Sequence, residues 1–289
     1  MKLSATKSTN TSRGRFAYRE AGSTDGTPLV MLHGWPESSY CWARVAEHLQ
    51  PGLRVIAPDL RGLGDSTREG ELAQFRKQEL AADMIAVLDT LAVGEFALVG
   101  HDWGGIVAQE IALAIPARVQ RLVIMNIALI NNLRGNQEVI AAVRERGGPY
   151  YWYQHFQQEP GLAEAMIPGN EEIWLRHFLR TWHKVGFPED AVQEYIRCYR
   201  IPGTAGTGAN YYRTFRDDAK RWAGLAGHVW PMPSLYIYGN KDVVIIPEYL
   251  NHIEDCFREI RVEQIEAGHF LQEEQPELVA RYMNEFLQV

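Results

Sequence analysis

Phe96-Ala97-Leu98-Val99-Gly100-His101-Asp102-Trp103-Gly104-Gly105-Ile106-Val107-Ala108-Gln109-Glu110-Ile111-Ala112-Leu113-Ala114 is the stretch whose reading decides the fold. An apolar, β-branched run leads in, and apolar residues at helical spacing lead out, which predicts a strand-to-helix turn. Glycines at 100 and 104 remove the Cβ atoms that would crowd so sharp a turn, and Gly105 lets the helix approach the strand. This is the pattern of a nucleophile elbow, and the residue at its apex is Asp102.

Aspartate at that apex selects the chemistry. A serine hydroxyl there would need a base to take its proton, whereas a carboxylic acid with an unperturbed pKa of about 3.9 is already ionised at neutral pH. The carboxylate can attack an sp³ carbon directly and form an ester. Water then hydrolyses that ester, and only this second step requires a general base. The competing structural reading of Asp102 is a helix N-cap.

The 289 residues, 46% hydrophobic and 22% charged, suit one soluble α/β unit with a large core. A net charge of −7 argues against a nucleic-acid partner. No apolar run approaches a membrane span of about 20 residues, and Met1 to Arg15 lacks the apolar stretch of a secretory signal, so a cytoplasmic location is expected. Cys41, Cys198 and Cys256 are odd in number and widely spaced, which fits reduced thiols and suggests no metal site.

Outward from the elbow, the Ser/Thr-rich start reads as frayed, and Arg15 to Glu20 alternates like a half-exposed strand. Pro28 to Leu32 and Arg54 to Ala57 are continuous apolar runs of the kind buried on both faces of a parallel sheet. The first delivers His33-Gly34-Trp35-Pro36 and the second Pro58-Asp59-Leu60-Arg61-Gly62 to the sheet edge where ligand sites lie. Helices are predicted over Tyr40 to Gln50, capped by Ser38, and over Phe75 to Leu91, with a further strand at Arg121 to Asn126. From about Ala128 to His228 strand-like runs give way to aromatic-rich helical segments. The division expected is therefore a core of residues 1–127 and 229–289 with an inserted helical cap, 128–228. The sheet resumes at Pro233 to Gly239 and ends with Ile260 to Ile265, before a closing helix from Pro276 to Leu287.

In chain order Asp102, Asp242 and His269 each follow a predicted strand, which is the nucleophile–acid–histidine order of the α/β-hydrolase fold. His269 would draw a proton from water, and Asp242 would orient it. Hydrolysis of the ester develops an oxyanion, for which the backbone N–H groups of Trp103 and Trp35 are the candidate donors, their side chains lining the pocket. His33, His101, Asp59, Arg61 and Asp65 read as groups that brace the loops.

These motifs, with Asp59 to Ser66 and Gly268-His269, resemble the epoxide hydrolases of the α/β-hydrolase fold, a mostly parallel central sheet flanked by helices with an inserted helical cap. The match runs over nearly the whole chain after the first dozen residues. Tyr153-Gln154-His155-Phe156-Gln157-Gln158-Glu159-Pro160-Gly161 looks like the segment holding that family's first cap tyrosine, and Asn210-Tyr211-Tyr212-Arg213 the second. The resemblance implies Tyr153 and Tyr212 as proton donors to the epoxide oxygen, a cofactor-free reaction of a small apolar epoxide with water, and a vicinal diol as product. Opening the ring leaves an alkoxide, which independently asks for donors such as phenols. Tyr151 and Tyr211 are the neighbours most easily mistaken for the pair. Two alternatives stand beside this expectation: a haloalkane dehalogenase using the same Asp102 ester, with Trp103 as one halide donor and a cap tryptophan, Trp152, Trp174 or Trp182, as the second, and a non-catalytic ligand-binding protein on the same fold. Whether the chain is a monomer or a homodimer is left open by the sequence.

Overall fold

In a computed structural model, residues 1–146, 151–184 and 186–287 are described. Eight strands form one sheet: β1 (Lys7–Thr11), β2 (Gly14–Gly22), β3 (Thr27–Leu32), β4 (Leu53–Pro58), β5 (Phe96–His101), β6 (Val119–Met125), β7 (Ser234–Gly239) and β8 (Ile260–Ile265). Their order is β1-β2-β4-β3-β5-β6-β7-β8. β1 with β2 and β2 with β4 are antiparallel, and every other neighbouring pair is parallel. All six residues of β5 and of β7 are buried, as strands covered on both faces require.

The helices are α1 (Ala43–His48), α2 (Lys77–Thr90), α3 (Trp103–Ala114), α4 (Leu133–Glu145), α5 (Trp152–Gln158), α6 (Leu162–Met166), α7 (Glu171–Thr181), α8 (Glu189–Tyr199), α9 (Thr204–Arg213), α10 (Phe215–Trp222), α11 (Leu271–Glu274) and α12 (Pro276–Leu287). α2 packs against α3, and α1 against α12. Helices α4 to α10 all lie between β6 and β7, where no strand occurs among the described residues. No helix among them is long and apolar enough to cross a membrane.

Three local expectations are corrected. The Ser/Thr-rich start is not frayed: Lys7 to Thr11 pairs in register with β2, from Lys7 opposite Tyr18 to Thr11 opposite Gly14. Residues 40–50 form not one helix but a 3₁₀ turn, Ser39–Trp42, followed by α1; the Ser38 side chain does accept from the Tyr40 N–H. The helix predicted from Phe75 begins only at Lys77, after a 3₁₀ turn over Leu72–Phe75.

The parallel topology decides where chemistry gathers. β3, β5, β7 and β8 run the same way, with Leu32 level with Gly100 and Gly239 level with Ile265. The turns that follow them therefore converge at one sheet edge.

Candidate active site

Asp102 follows β5 at φ +50° and ψ −130° and is 8% exposed. Its side chain makes no capping hydrogen bond to α3, so the helix-cap reading fails. Instead Oδ1 accepts the Trp35 N–H at 2.8 Å, and Oδ2 lies 3.6 Å from His269 Nε2. The Trp35 turn can come this close only because residue 34 is glycine: a Cβ there would stand 2.4 Å from Asp102 Cβ and Oδ1. Gly104 likewise admits the carbonyls of Leu32 and His33, 2.4 and 2.3 Å from where its Cβ would be. The loop after β3 is thus pressed onto the first turn of α3, whose leading N–H groups, beginning with Trp103, have no carbonyl partner within the helix.

Fully buried His269 presents Nδ1 to Asp242 Oδ2 at 2.8 Å. Asp242 is itself held by the Val244 N–H, 2.7 Å from Oδ1. The His269 backbone is pinned on both sides: its N–H donates to the Trp182 carbonyl at 2.8 Å, and its carbonyl accepts from His101 Nε2 at 2.8 Å and Asn126 Nδ2 at 3.0 Å. Burial alone would lower the imidazole pKa, but Asp242 and Asp102 outweigh it and raise the group to about 10. His101 goes the other way. Burial, then the charge on His269, hold it down to about 4, and as a neutral ring it donates through Nε2.

The expected phenols also arrive. Tyr153 on α5 stacks on the Trp35 indole, with centroids 5.7 Å apart and planes at 13°. Tyr212 on α9 meets Tyr153 edge-on at 5.6 Å and the Trp103 ring at 5.3 Å. Both tyrosines are buried. Burial pushes both phenols well above their usual pKa, and the charge on Asp102 adds to the rise in each. Their neighbours are committed elsewhere: Tyr151 donates to the Val244 carbonyl at 2.6 Å, and Tyr211 to the Arg61 carbonyl at 2.8 Å. Phe178 and Trp182 complete an aromatic wall, their ring centroids 5.4 and 4.8 Å from that of Tyr153.

The groups read as loop braces have bracing partners. His33 takes the Leu60 N–H on Nε2 at 3.0 Å, Asp59 accepts from Ser39 and Asp65 N–H groups, and Arg61 forks onto Asp83. Two features escaped the sequence reading. One is the hold of Trp182 on the histidine: its carbonyl accepts the His269 N–H and its ring lies edge-on to the imidazole at 5.4 Å. The other is Lys77, fully buried beneath the Trp103 ring. The signal for Lys77 was present: residues 77, 80, 81, 83, 84, 87 and 88 are the buried ones of α2, and a charged residue on such a face needs a partner.

Residues 27–276 match the family model of the alpha/beta hydrolase fold. The "Bifunctional epoxide hydrolase 2" of Rattus norvegicus is 29% identical over 301 residues, covering 94% of this chain; the chain spans only 53% of that protein's length. A "Soluble epoxide hydrolase" of Corynebacterium sp. is 32% identical over 276 residues, covering 92% of this chain and 91% of the relative. Among solved structures, epoxide hydrolase VrEH1 from Vigna radiata superposes with a TM-score of 0.82 at 26% identity, covering 99% of this chain and 98% of that one. With Asp102, Asp242 and His269 at the ends of parallel strands and this likeness along almost its whole length, the chain belongs to the alpha/beta hydrolase fold family and is similar to epoxide hydrolases within it.

Proposed function

We propose that the protein is an epoxide hydrolase in which residues 128–228 form a cap over a core of 1–127 and 229–289. The observation that carries this reading is the pair of buried phenols, Tyr153 and Tyr212, with ring centroids 5.6 Å apart and both within the field of Asp102.

Asp102 Oδ2 attacks one ring carbon. The carbon–oxygen bond breaks, its electron pair stays on oxygen, and a phenol supplies the proton. Oδ1, held by Trp35 N–H, becomes the ester carbonyl oxygen. Esterification also removes one of the two negative charges that keep His269 protonated, so the imidazole pKa falls; its Nε2 proton passes to the phenolate, and the neutral Nε2 can then accept a proton from water. That water attacks Asp102 Cγ as its proton passes to His269; the oxyanion on Oδ1 meets the N–H groups of Trp35 and Trp103, and on collapse the departing alkoxide takes the hydroxyl proton of the intermediate, releasing the diol and leaving Asp102 a carboxylate beside the protonated His269. Aromatic walls of Trp35, Trp103, Phe178 and Trp182 favour an aryl or alkyl epoxide over a polar one.

A second reading has one observation in its favour. The indole Nε1 of Trp103 is buried and makes no well-formed hydrogen bond among the described residues, its polar neighbour being the Tyr212 phenol, and it stands where a halide donor of a haloalkane dehalogenase would. Supplying styrene oxide and 1-bromobutane separately to the purified protein distinguishes the two. Diol from the first and no bromide from the second is the expected result; bromide without diol overturns the epoxide reading in favour of the other.

A further inference from the structure

Lys77 is the first residue of α2, fully buried, and therefore a cation placed at the positive end of its own helix. Burial and the helix dipole both oppose it. Its surroundings compensate. Nζ donates to the Tyr211 carbonyl in the last turn of α9, to Thr214 Oγ1 at 2.9 Å, and to Asp218 Oδ2 on α10 at 2.9 Å. The same ammonium lies 4.4 Å from the centroid of the Trp103 ring. It thus joins the negative end of α9 to the residue that follows the nucleophile.

A buried ion pair is weak evidence for stability, because well-packed neutral groups of the same shape do as well. What such a pair supplies in some proteins is a fixed register. Here the elements registered are α9, which carries Tyr212, and Trp103, whose ring touches that of Tyr212.

We infer that Lys77 is a positioning residue for ring opening: its ammonium, clamped between Trp103 and the α9–α10 corner, sets the Tyr212 phenol over Asp102. This rests on the reading of Tyr212 as a proton donor. Asp218, Asp102, Glu110 and the Tyr211 phenol are the titratable groups facing it. Burial, opposed by Asp218, brings the Lys77 pKa down to about 8. Loss of the proton removes the attraction to the Trp103 ring.

The test is the rate of ester formation with styrene oxide, followed in single turnovers by mass spectrometry, in wild type, Tyr212→Phe, and Lys77→Met combined with Asp218→Asn. The neutral pair keeps an acceptor for the Lys77 backbone N–H, which now meets Asp218 Oδ1 at 3.1 Å. It should melt within a few degrees of wild type yet form the ester roughly ten- to a hundredfold more slowly, as for other small misplacements of a reacting group. The wild-type rate should fall as pH rises through about 8, and the neutral pair should lack that fall. If Tyr212→Phe forms the ester at the wild-type rate, the phenol reading is what fails. If Tyr212→Phe is slow while the folded neutral pair is as fast as wild type, or if the wild-type rate is level from about pH 7 to 9, one unit either side of that pKa, the inference about Lys77 is overturned.

Discussion

The two halves of the site are built by different means. Asp102, Asp242, His269 and the Trp35 N–H stand on turns at the ends of parallel strands, so backbone register fixes them. Tyr153 and Tyr212 stand on helices whose seating depends on side chains: Lys77 with Asp218, Glu110 with Arg221 and Trp222, Arg213 with Glu164, and Tyr151 with the Val244 carbonyl. On the proposed reading, the sheet edge supplies groups that exchange bonds and protons with Asp102, and the helices supply groups that recognise what Asp102 attacks. Nature of support and nature of task divide along the same line.

That division can be tested by asking which chemical step each half serves. The largest effect belongs to the sheet half. His269→Gln should form the Asp102 ester at close to the wild-type rate and then fail to hydrolyse it, lowering steady-state turnover by about 10² to 10⁴, the usual contribution of a general base. Intact-mass measurement after exposure to styrene oxide should show a stoichiometric adduct; an unmodified protein would break the assignment. The helical half should show the converse. Tyr153→Phe and Tyr212→Phe together should slow ester formation by roughly 10² or more while leaving hydrolysis of a preformed ester within a few fold, and either change alone should cost much less. A double variant that alkylates at the wild-type rate would merge the two halves into one.

The smallest expected effect is on stability. His269 has its folded pKa raised to about 10 from an ordinary 6.5, so the folded state binds the extra proton. The stabilisation is fully present below the ordinary value and is lost as pH rises through the folded one, on the order of a few kcal/mol across that window. Comparing wild type with His269→Gln by denaturant unfolding should show a gap that narrows steadily over that range. A gap that does not change with pH would mean that the charge on His269 is not held by Asp242 and Asp102.

The same division explains what could be read from residues alone. Strand ends are legible, because apolar runs such as Pro28 to Leu32 and Ser234 to Gly239 announce themselves and parallel topology brings their C-terminal turns to one edge. β1 was hidden for the opposite reason. An edge strand of Lys, Ser, Thr and Asn, with no fully buried residue, has no apolar pattern to show. Tyr153 and Tyr212 came from a resemblance rather than from periodicity. Helical spacing separates Tyr151 from Tyr153 by about 200°, but it does not say which direction faces the sheet. Only the docked helix shows Tyr151 donating its proton to Val244. The hold of Trp182 on His269 was invisible in a stronger sense, since it acts through a backbone carbonyl that any residue type carries.

The positive φ at Asp102 has a consequence for how this molecule can change. Non-glycine residues held in such backbone conformations carry a strain of roughly 1 to 3 kcal/mol, and glycine would relieve it. Glycine there would also forfeit the Trp35 N–H hydrogen bond and the charge beside His269, so ease of backbone and the proposed nucleophile exclude each other at this position. The elbow is a point where backbone ease and the proposed reactivity pull the sequence in opposite directions.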